Sequence, residues 1–181
     1  IKNYIICVWK GMMNGMKIAV IMGSDSDLPV LQPALDVLTE FSVDYEVLVA
    51  SAHRTPDKVH EFVAGAEQRG IKAVIAAAGA AAHLPGVVAS YTCLPVIGVP
   101  VNSTPLNGMD ALLSIVQMPA GIPVATMAVN GAKNAGLFAV QILATTDAGL
   151  MQALREYRVT MAFEVEQKNI RLQKKLGKME E

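Results

Sequence analysis

The sequence lacks several features that would assign a class of function directly. It holds two isolated cysteines, Cys7 and Cys93, which indicate ordinary reduced thiols and a cytoplasmic protein and not a disulfide framework. Fifteen basic and sixteen acidic residues give a net charge of -1, so no charge excess indicates binding to nucleic acid or to an anionic membrane. No uninterrupted apolar run approaches the roughly 18 residues that a membrane helix needs. Any anionic ligand must therefore be held by local groups.

The chemical motifs of ATP and metal binding are also missing. The sequence has no Gly-x-x-x-x-Gly-Lys-Ser/Thr element, and no His, Cys or carboxylate cluster has the spacing of a metal site. The sequence therefore predicts a reaction that uses no metal and no cofactor.

Apolar residues, in contrast, are abundant. They make up 52% of the chain, and the mean hydropathy is +0.39. Parallel strands covered on both faces absorb part of this excess, and a large interface between subunits would absorb the rest. A chain of 181 residues is expected to form one domain around one good core.

Strand and helix patterns alternate along the chain with short connections. The strand patterns cover residues 17–22, 43–50, 73–78, 96–99 and 124–129. The helical patterns cover residues 28–41, 56–70, a short segment from Pro85, 108–116, 132–145 and 148–176. This alternation predicts an α/β fold, a flavodoxin-like three-layer α/β/α sandwich with a central parallel sheet. The last helix carries apolar residues on one face and is expected to pack on a neighbouring subunit.

The first 15 residues precede the first strand pattern. Their apolar stretch, residues 4–9, is too short for the hydrophobic region of a signal peptide and has no small-residue cleavage site. Residues 1–15 are either an upstream extension before a start at Met16 or an added strand or arm. Residues 16–181 are expected to form the catalytic domain, with residues 148–176 as its oligomerisation helix.

Three polar loops follow predicted strands. The first strand is followed by Gly-Ser-Asp-Ser-Asp at 23–27, and the second strand by Ser-Ala-His-Arg-Thr-Pro at 51–56. The third strand is followed by Gly-Ala-Ala-Ala-His-Leu-Pro-Gly at 79–86. In an open parallel sheet, ligands bind outside the carboxyl ends of the strands. The middle loop places a proton-transfer group, His53, beside an obligate cation, Arg54, so the three loops form the candidate active site.

Two further motifs accompany these loops, Gly-Val-Pro at 98–100 and Ser-Ile-Val-Gln-Met-Pro at 114–119. Together, the loops and motifs resemble those of the class I N5-carboxyaminoimidazole ribonucleotide mutases of purine biosynthesis. The resemblance runs in register from about residue 16 to about residue 147, and several motifs in the right order are far more specific than one glycine-rich loop. It implies a small-molecule ribonucleotide substrate and a homo-oligomer, an octamer in this family.

Two histidines are the candidate catalytic residues. An imidazole donates and accepts protons near neutral pH, and the resemblance implies that His53 is the general acid and base. The alternative for His53 is a loop-capping residue that only bonds backbone. His83 lies in a loop of small residues that would let the backbone approach a flat heteroaromatic base. Because His83 has the alternative of holding this loop in shape, it is assigned to the site but not as the proton carrier.

Polar residues of the first two loops are assigned to substrate binding. Arg54 offers a planar fork that matches phosphate oxygens, and Ser24 lies where a helix amino terminus attracts anions. Asp27 would repel phosphate, so it is expected to accept hydrogen bonds from ribose hydroxyls, or else to cap the following helix. The resemblance implies substrate binding by Ser24, Asp27 and Arg54. Ser51 either reaches the ligand or orients its loop.

The third loop adds Gly79, Ala80 and Leu84 to the binding residues. Ala80 departs from the family pattern, which usually has a second glycine at this position. If the backbone needs a positive φ there, alanine costs about 1 kcal/mol.

The resemblance implies conversion of N5-carboxyaminoimidazole ribonucleotide to 4-carboxy-5-aminoimidazole ribonucleotide, by decarboxylation and recarboxylation. It suggests functional coupling with the ATP-dependent carboxyaminoimidazole ribonucleotide synthase. Two alternatives stay open. One is a carboxylase that uses free carbon dioxide, an activity of the related class II proteins. The other belongs to a different class of function, a non-catalytic flavin- or nucleotide-binding module, because this topology by itself says little about function.

Overall fold

The computed structural model describes residues 15–178, and its central element is a five-stranded sheet. The strands are β1 (Lys17–Met22), β2 (Asp44–Val49), β3 (Ile71–Gly79), β4 (Val96–Val101) and β5 (Ala125–Thr126). They lie in the order β2-β1-β3-β4-β5, and every neighbouring pair is parallel. This order confirms the predicted flavodoxin-like sheet. Residues 1–14, nearly all of the predicted extension, lie outside the described residues.

Helices connect the strands and cover both faces of the sheet. They are α1 (Leu28–Glu40), α2 (Pro56–Ala64), α3 (Leu84–Ser90), α4 (Met109–Val116), α5 (Ala132–Ala144) and α6 (Ala148–Lys175). Alternate side chains of β1 point to opposite faces: Val20 packs in the core with α1, α5 and α6, whereas Ile21 packs in the core with α2, α3 and α4. The predicted three-layer sandwich is therefore confirmed.

The last strand is shorter than the predicted 124–129, and a proline explains why. Beyond β5 the chain still follows β4, since the Met127 amide donates to the Gly98 carbonyl at 2.9 Å. In a regular parallel ladder the residue two positions after Gly98 would donate back to the Met127 carbonyl. That residue is Pro100, which has no N–H, so the ladder ends here.

The helix predicted over 56–70 also ends early, at Ala64. A 3₁₀ turn over Glu67–Arg69 follows it, and Gly70 closes the segment at a φ of +82°. The glycine therefore ends the segment by adopting a left-handed conformation that other residues avoid.

The two halves of α6 differ in their surroundings. At its start, the Asp147 carboxylate accepts a hydrogen bond from the Leu150 amide at 2.9 Å, and Leu150 and Leu154 are buried against the domain. Further along, Val159, Phe163 and Val165 are 70%, 63% and 64% exposed. Among the described residues, no helix is long and apolar enough to cross a membrane.

Candidate active site

A cavity of about 350 Å³ opens at the carboxyl edge of the sheet. It lies near the ends of β1 and β3, where the strand order reverses, which is the ligand-binding position of doubly wound sheets. Its lining residues are Gly23, Ser24, Ser26, Asp27, Ser51, Ala52, His53, Arg54, Ala78, Gly79, Ala81, His83, Leu84 and Ser103. We call residues 23–27 and 51–55 the β1–β2 wall, and residues 78–84 with 102–104 the β3–β4 wall.

The loop after β1 is held by short-range hydrogen bonds. The Ser24 hydroxyl accepts from the Ser26 amide at 3.3 Å, while the Asp27 carboxylate accepts from the Ser24 amide at 3.2 Å. This reciprocal pair is a capping box that starts the 3₁₀ turn over Asp25–Asp27. Ser24 and Asp27 thus shape the loop as well as line the cavity.

Among the charged residues that the structure describes, Asp27 is the one that is buried, with 7% of its surface exposed. Burial raises the pKa of its carboxyl above the usual value, and the nearby charge of Asp25 adds to that rise. The hydrogen bond from the Ser24 amide acts in the opposite direction and lowers the pKa. The carboxylate is therefore poorly solvated, and it has a strong tendency to accept a hydrogen bond from a ligand.

The loop after β2 is built around Ser51 and Thr55. The Thr55 hydroxyl accepts from the Ser51 amide at 2.9 Å, and the Ser51 hydroxyl accepts from the Arg54 amide at 3.3 Å. Arg54 extends toward the first loop, where its Nη2 donates to the Gly23 carbonyl at 3.0 Å. The guanidinium is thereby held beside the Ser24 turn, which places a cation and a serine hydroxyl at the same end of the cavity.

His53 and His83 join the two walls of the cavity. Nε2 of His53 lies 2.8 Å from Nδ1 of His83, and the two rings meet edge to face at an angle of 80°. At this distance one nitrogen donates and the other accepts, so the facing nitrogens share one hydrogen. Such a bond couples the protonation of the two facing nitrogens, since one must donate while the other accepts, and it holds both rings in place.

The start of the β3–β4 wall is shaped by close packing and by an unusual backbone angle. A Cβ atom built on Gly79 would overlap the Ser103 hydroxyl, so only glycine fits at this point. The next residue, Ala80, has a φ of +51°, which meets the condition under which alanine was expected to be strained. Ala80 itself does not line the cavity, whereas Gly79 and Leu84 do.

The structure brings eight of the nine residues assigned from sequence to one cavity, all except Ala80. Sequence reasoning missed Ser103, which follows β4. The available signal was its position just beyond the predicted fourth strand, at the same edge of the sheet as the three loops. Among residues 15–178, no group of three or more His, Cys, Asp or Glu side chains is arranged to hold a metal ion.

A doubly wound parallel sheet with paired imidazoles, a guanidinium and a buried carboxylate at its switch point defines an α/β enzyme site for a small polar molecule. The sequence matches the model of the AIR carboxylase family over residues 17–164, and the chain belongs to that family.

Similar proteins of known name agree with this membership. The chain is 55% identical over 157 residues to an N5-carboxyaminoimidazole ribonucleotide mutase of Thermotoga maritima, covering 87% of this chain and 92% of that protein. It is 58% identical over 145 residues to a protein of the same name from Pyrococcus abyssi, covering 80% and 83% of the two chains. A crystal structure described as Treponema denticola PurE superimposes with a TM-score of 0.79 at 26% identity, covering 86% of this chain and 98% of that one.

Proposed function

We propose that this chain is an N5-carboxyaminoimidazole ribonucleotide mutase of purine biosynthesis, with His53 as its proton carrier. The observation that carries the reaction class is the identity of 55% and 58% to relatives that bear this name. The observation that supports the role of His53 is its bond to His83 inside the cavity. The enzyme is thus an isomerase that moves a carboxylate within one molecule.

The reaction needs one proton delivered and one proton removed. Protonation of the carbamate nitrogen lets carbon dioxide leave, and the amino group of the product makes C4 of the imidazole a nucleophile. C4 attacks the carbon dioxide held in the cavity, and removal of the C4 proton restores the aromatic ring. His53 performs both transfers, because the proton it gives to nitrogen leaves it neutral and ready to accept the proton from carbon.

The other cavity residues bind and orient the substrate. Arg54 and Ser24 lie together on the β1–β2 wall, so the phosphate binds there through charge-assisted hydrogen bonds. Asp27 accepts from the ribose hydroxyls, and Ser51 keeps the loop of Arg54 in shape. The base then lies toward Gly79, Ala80 and Leu84 on the opposite wall. His83 orients the ring of His53, and confinement keeps carbon dioxide near C4.

The two rival functions receive less support. A carboxylase would take free carbon dioxide onto aminoimidazole ribonucleotide at the same cavity, but relatives at 55% and 58% identity are named mutases. A flavin-binding module would need no proton carrier, and a buried carboxylate in the same cavity as a histidine pair gives it no advantage.

One assay separates the mutase from the carboxylase. The protein is given N5-carboxyaminoimidazole ribonucleotide with chelator and without ATP, and in parallel aminoimidazole ribonucleotide with a high concentration of bicarbonate. Fast turnover of the first and little of the second is expected. The reverse pattern would identify the carboxylase, and a yellow protein inactive on both would favour the flavin module.

Assembly and cellular setting form a further part of the proposal. The apolar face of α6 beyond Tyr157, together with a groove lined by Leu137, Phe138 and Met161, supports packing against further copies of the chain. We propose a cytoplasmic homo-octamer that takes its substrate from the ATP-dependent carboxyaminoimidazole ribonucleotide synthase. A stable monomer in light scattering at micromolar concentration would contradict this assembly.

A further inference from the structure

Ser103 is a cavity residue to which the reaction described above gives no role. It follows β4, and its side chain presses against the end of β3, where Gly79 leaves room for it. A Cβ on Gly79 would also come within 2.9 Å of the Ser103 Cβ and 3.2 Å of the Val101 carbonyl oxygen. The serine therefore has a fixed position against the strand that leads into the His83 loop.

The backbone on both sides of Ser103 is fastened by side chains from distant parts of the fold. The Asn102 amide donates to the Asn130 side chain at 2.9 Å. On the other side, the Thr104 hydroxyl donates to the Asp110 carboxylate at 2.8 Å and accepts from the Leu106 amide at 3.2 Å. In the described part of the chain, the bonds that hold this stretch thus engage the neighbours of Ser103, and Ser103 itself lines the cavity.

One of these hydrogen-bond partners is held at an energetic cost. Asn130 adopts a φ of +56°, in the left-handed region where asparagine is among the better tolerated residues, so its own cost is small. Asp110 keeps its second carboxylate oxygen, Oδ1, buried without a hydrogen-bond partner among the described residues. Such costs are typical of segments whose position matters for a site.

We propose that Ser103 is a substrate-binding residue of the β3–β4 wall that donates its hydroxyl hydrogen to the carboxylate group that the reaction moves. The proposal rests on the proposed mutase function. The phosphate is assigned to Arg54 and Ser24 on the opposite wall, so the base and its carboxylate lie toward Ser103 and His83. A serine hydroxyl has one donor and two acceptor positions. At this end the substrate groups that only accept are the imidazole N3 and the carboxylate, and the charged carboxylate forms the stronger hydrogen bond.

The test compares ligands that differ in the carboxylate alone. Ser103→Ala is titrated calorimetrically with 4-carboxy-5-aminoimidazole ribonucleotide and with aminoimidazole ribonucleotide, which lacks the carboxylate. Affinity for the carboxylated ligand should fall about 10- to 100-fold, the usual effect of a hydrogen bond to a charged group. Affinity for the other ligand should stay within about twofold, since no contact to it is lost.

The matched control is Ser90→Ala, because Ser90 is an exposed serine outside the cavity whose hydroxyl donates to the Val87 carbonyl. It should change neither affinity. Equal losses for both ligands with Ser103→Ala, or no loss for either, would overturn the assignment to the carboxylate. These titrations measure binding and do not depend on turnover. If the native protein shows no mutase activity, that result refutes the proposed function independently of the titrations.

Thr104 is tested as a positioning residue. Thr104→Val keeps the shape of the side chain but removes its bond to Asp110, and it should lower affinity for the carboxylated ligand less than Ser103→Ala does. Thr104→Ser keeps the hydroxyl and should restore native affinity. If Thr104→Ser and Thr104→Val behave alike, the hydroxyl of Thr104 does not position Ser103.

Discussion

The two walls of the cavity are built by different physical means. The β1–β2 wall is a set of hydrogen bonds between near neighbours, the Ser24–Asp27 capping box and the Ser51–Thr55 turn, with Arg54 tying one loop to the other. The β3–β4 wall depends on the contact of Gly79 with Ser103 and on the positive φ of Ala80. The hydrogen bonds within each loop of the first wall follow from local sequence motifs. The Arg54–Gly23 bond and the Gly79–Ser103 contact, in contrast, exist only once two strands lie side by side.

In the proposed function this difference also assigns a different part of the substrate to each wall. Hydrogen-bond donors and a cation are concentrated on the β1–β2 wall, which suits a phosphorylated ribose. Small residues form most of the β3–β4 wall and leave space for a flat base. His53 on the first wall and His83 on the second meet at 2.8 Å, so the proposed proton carrier lies where the two walls join.

The largest effect is expected from breaking that junction. His53→Asn keeps some hydrogen bonding but cannot carry a proton at neutral pH, so kcat should fall by at least the 10²- to 10⁴-fold that general acid–base catalysis contributes. In the proposed mechanism both proton transfers use this residue, which makes the upper end of that range the expectation. The measurement is turnover of N5-carboxyaminoimidazole ribonucleotide under saturating conditions.

The control for His53→Asn is ligand binding. Calorimetry should show that the variant still binds 4-carboxy-5-aminoimidazole ribonucleotide, because the substitution leaves the residues proposed to contact phosphate and ribose unchanged. Substantial turnover by this variant would refute the proton-carrier role. His60→Asn, at a helical histidine that does not line the cavity, should leave turnover unchanged.

The next largest effect concerns the β1–β2 wall alone. Arg54→Ala removes the bond to the Gly23 carbonyl and the proposed charge-assisted contact to phosphate, and should weaken ribonucleotide binding about 10- to 100-fold. The fold should persist, since Arg54 is an exposed residue and lies outside both cores.

Titration with inorganic phosphate sharpens the Arg54 result. The native protein should show competition between phosphate and ribonucleotide that Arg54→Ala largely loses. Lys58→Ala, a cation of the same region whose Nζ donates to the Val49 carbonyl, serves as the matched control. Unchanged nucleotide affinity in Arg54→Ala would give Arg54 a structural role only.

A smaller, pH-dependent effect is expected at Asp27. Burial is the main cause of the raised pKa of its carboxyl. Ionisation of this carboxyl therefore costs the folded state more than the unfolded state. The protein loses stability as the pH rises from the ordinary pKa of aspartate through the raised pKa. Asp27→Asn retains an oxygen to accept from the Ser24 amide but carries no charge. The variant should therefore unfold at a higher temperature than the native protein at pH 7, and the gain should disappear below about pH 4.

The same substitution should weaken ribonucleotide binding, because a neutral amide is a poorer acceptor for ribose hydroxyls than a carboxylate. Thermal unfolding at several pH values and calorimetry together separate the two effects. Asp25→Asn, the exposed neighbour, should show a smaller change in stability. A loss of stability in Asp27→Asn at neutral pH would mean that the carboxylate is needed for the capping box.

The sequence alone is enough to predict the features that depend on local periodicity or on a short motif. The apolar runs of β1 and β3 and the loop of His53 and Arg54 were predictable because each is specified within a few residues. The length of β5 was not, since it depends on Pro100 in the neighbouring strand, which has no N–H to donate to the Met127 carbonyl. Ser103 was missed for the same reason, because its partner Gly79 is in another strand and no local pattern joins them.

The smallest predicted effect tests the strain in the β3–β4 wall. Ala80 holds a φ of +51°, which costs an L-residue roughly 1–2 kcal/mol, whereas glycine avoids this cost but loses about 0.4–1 kcal/mol through a more flexible unfolded chain. Ala80→Gly should therefore raise the free energy of unfolding by up to about 1 kcal/mol, a shift of a few degrees in Tm for a chain of this size.

Ala81→Gly is the matched control, because Ala81 is not among the residues of positive φ and its substitution should lower the stability of the protein. If both variants lose stability alike, the β3–β4 wall carries no backbone strain, and Gly79 alone shapes this part of the cavity.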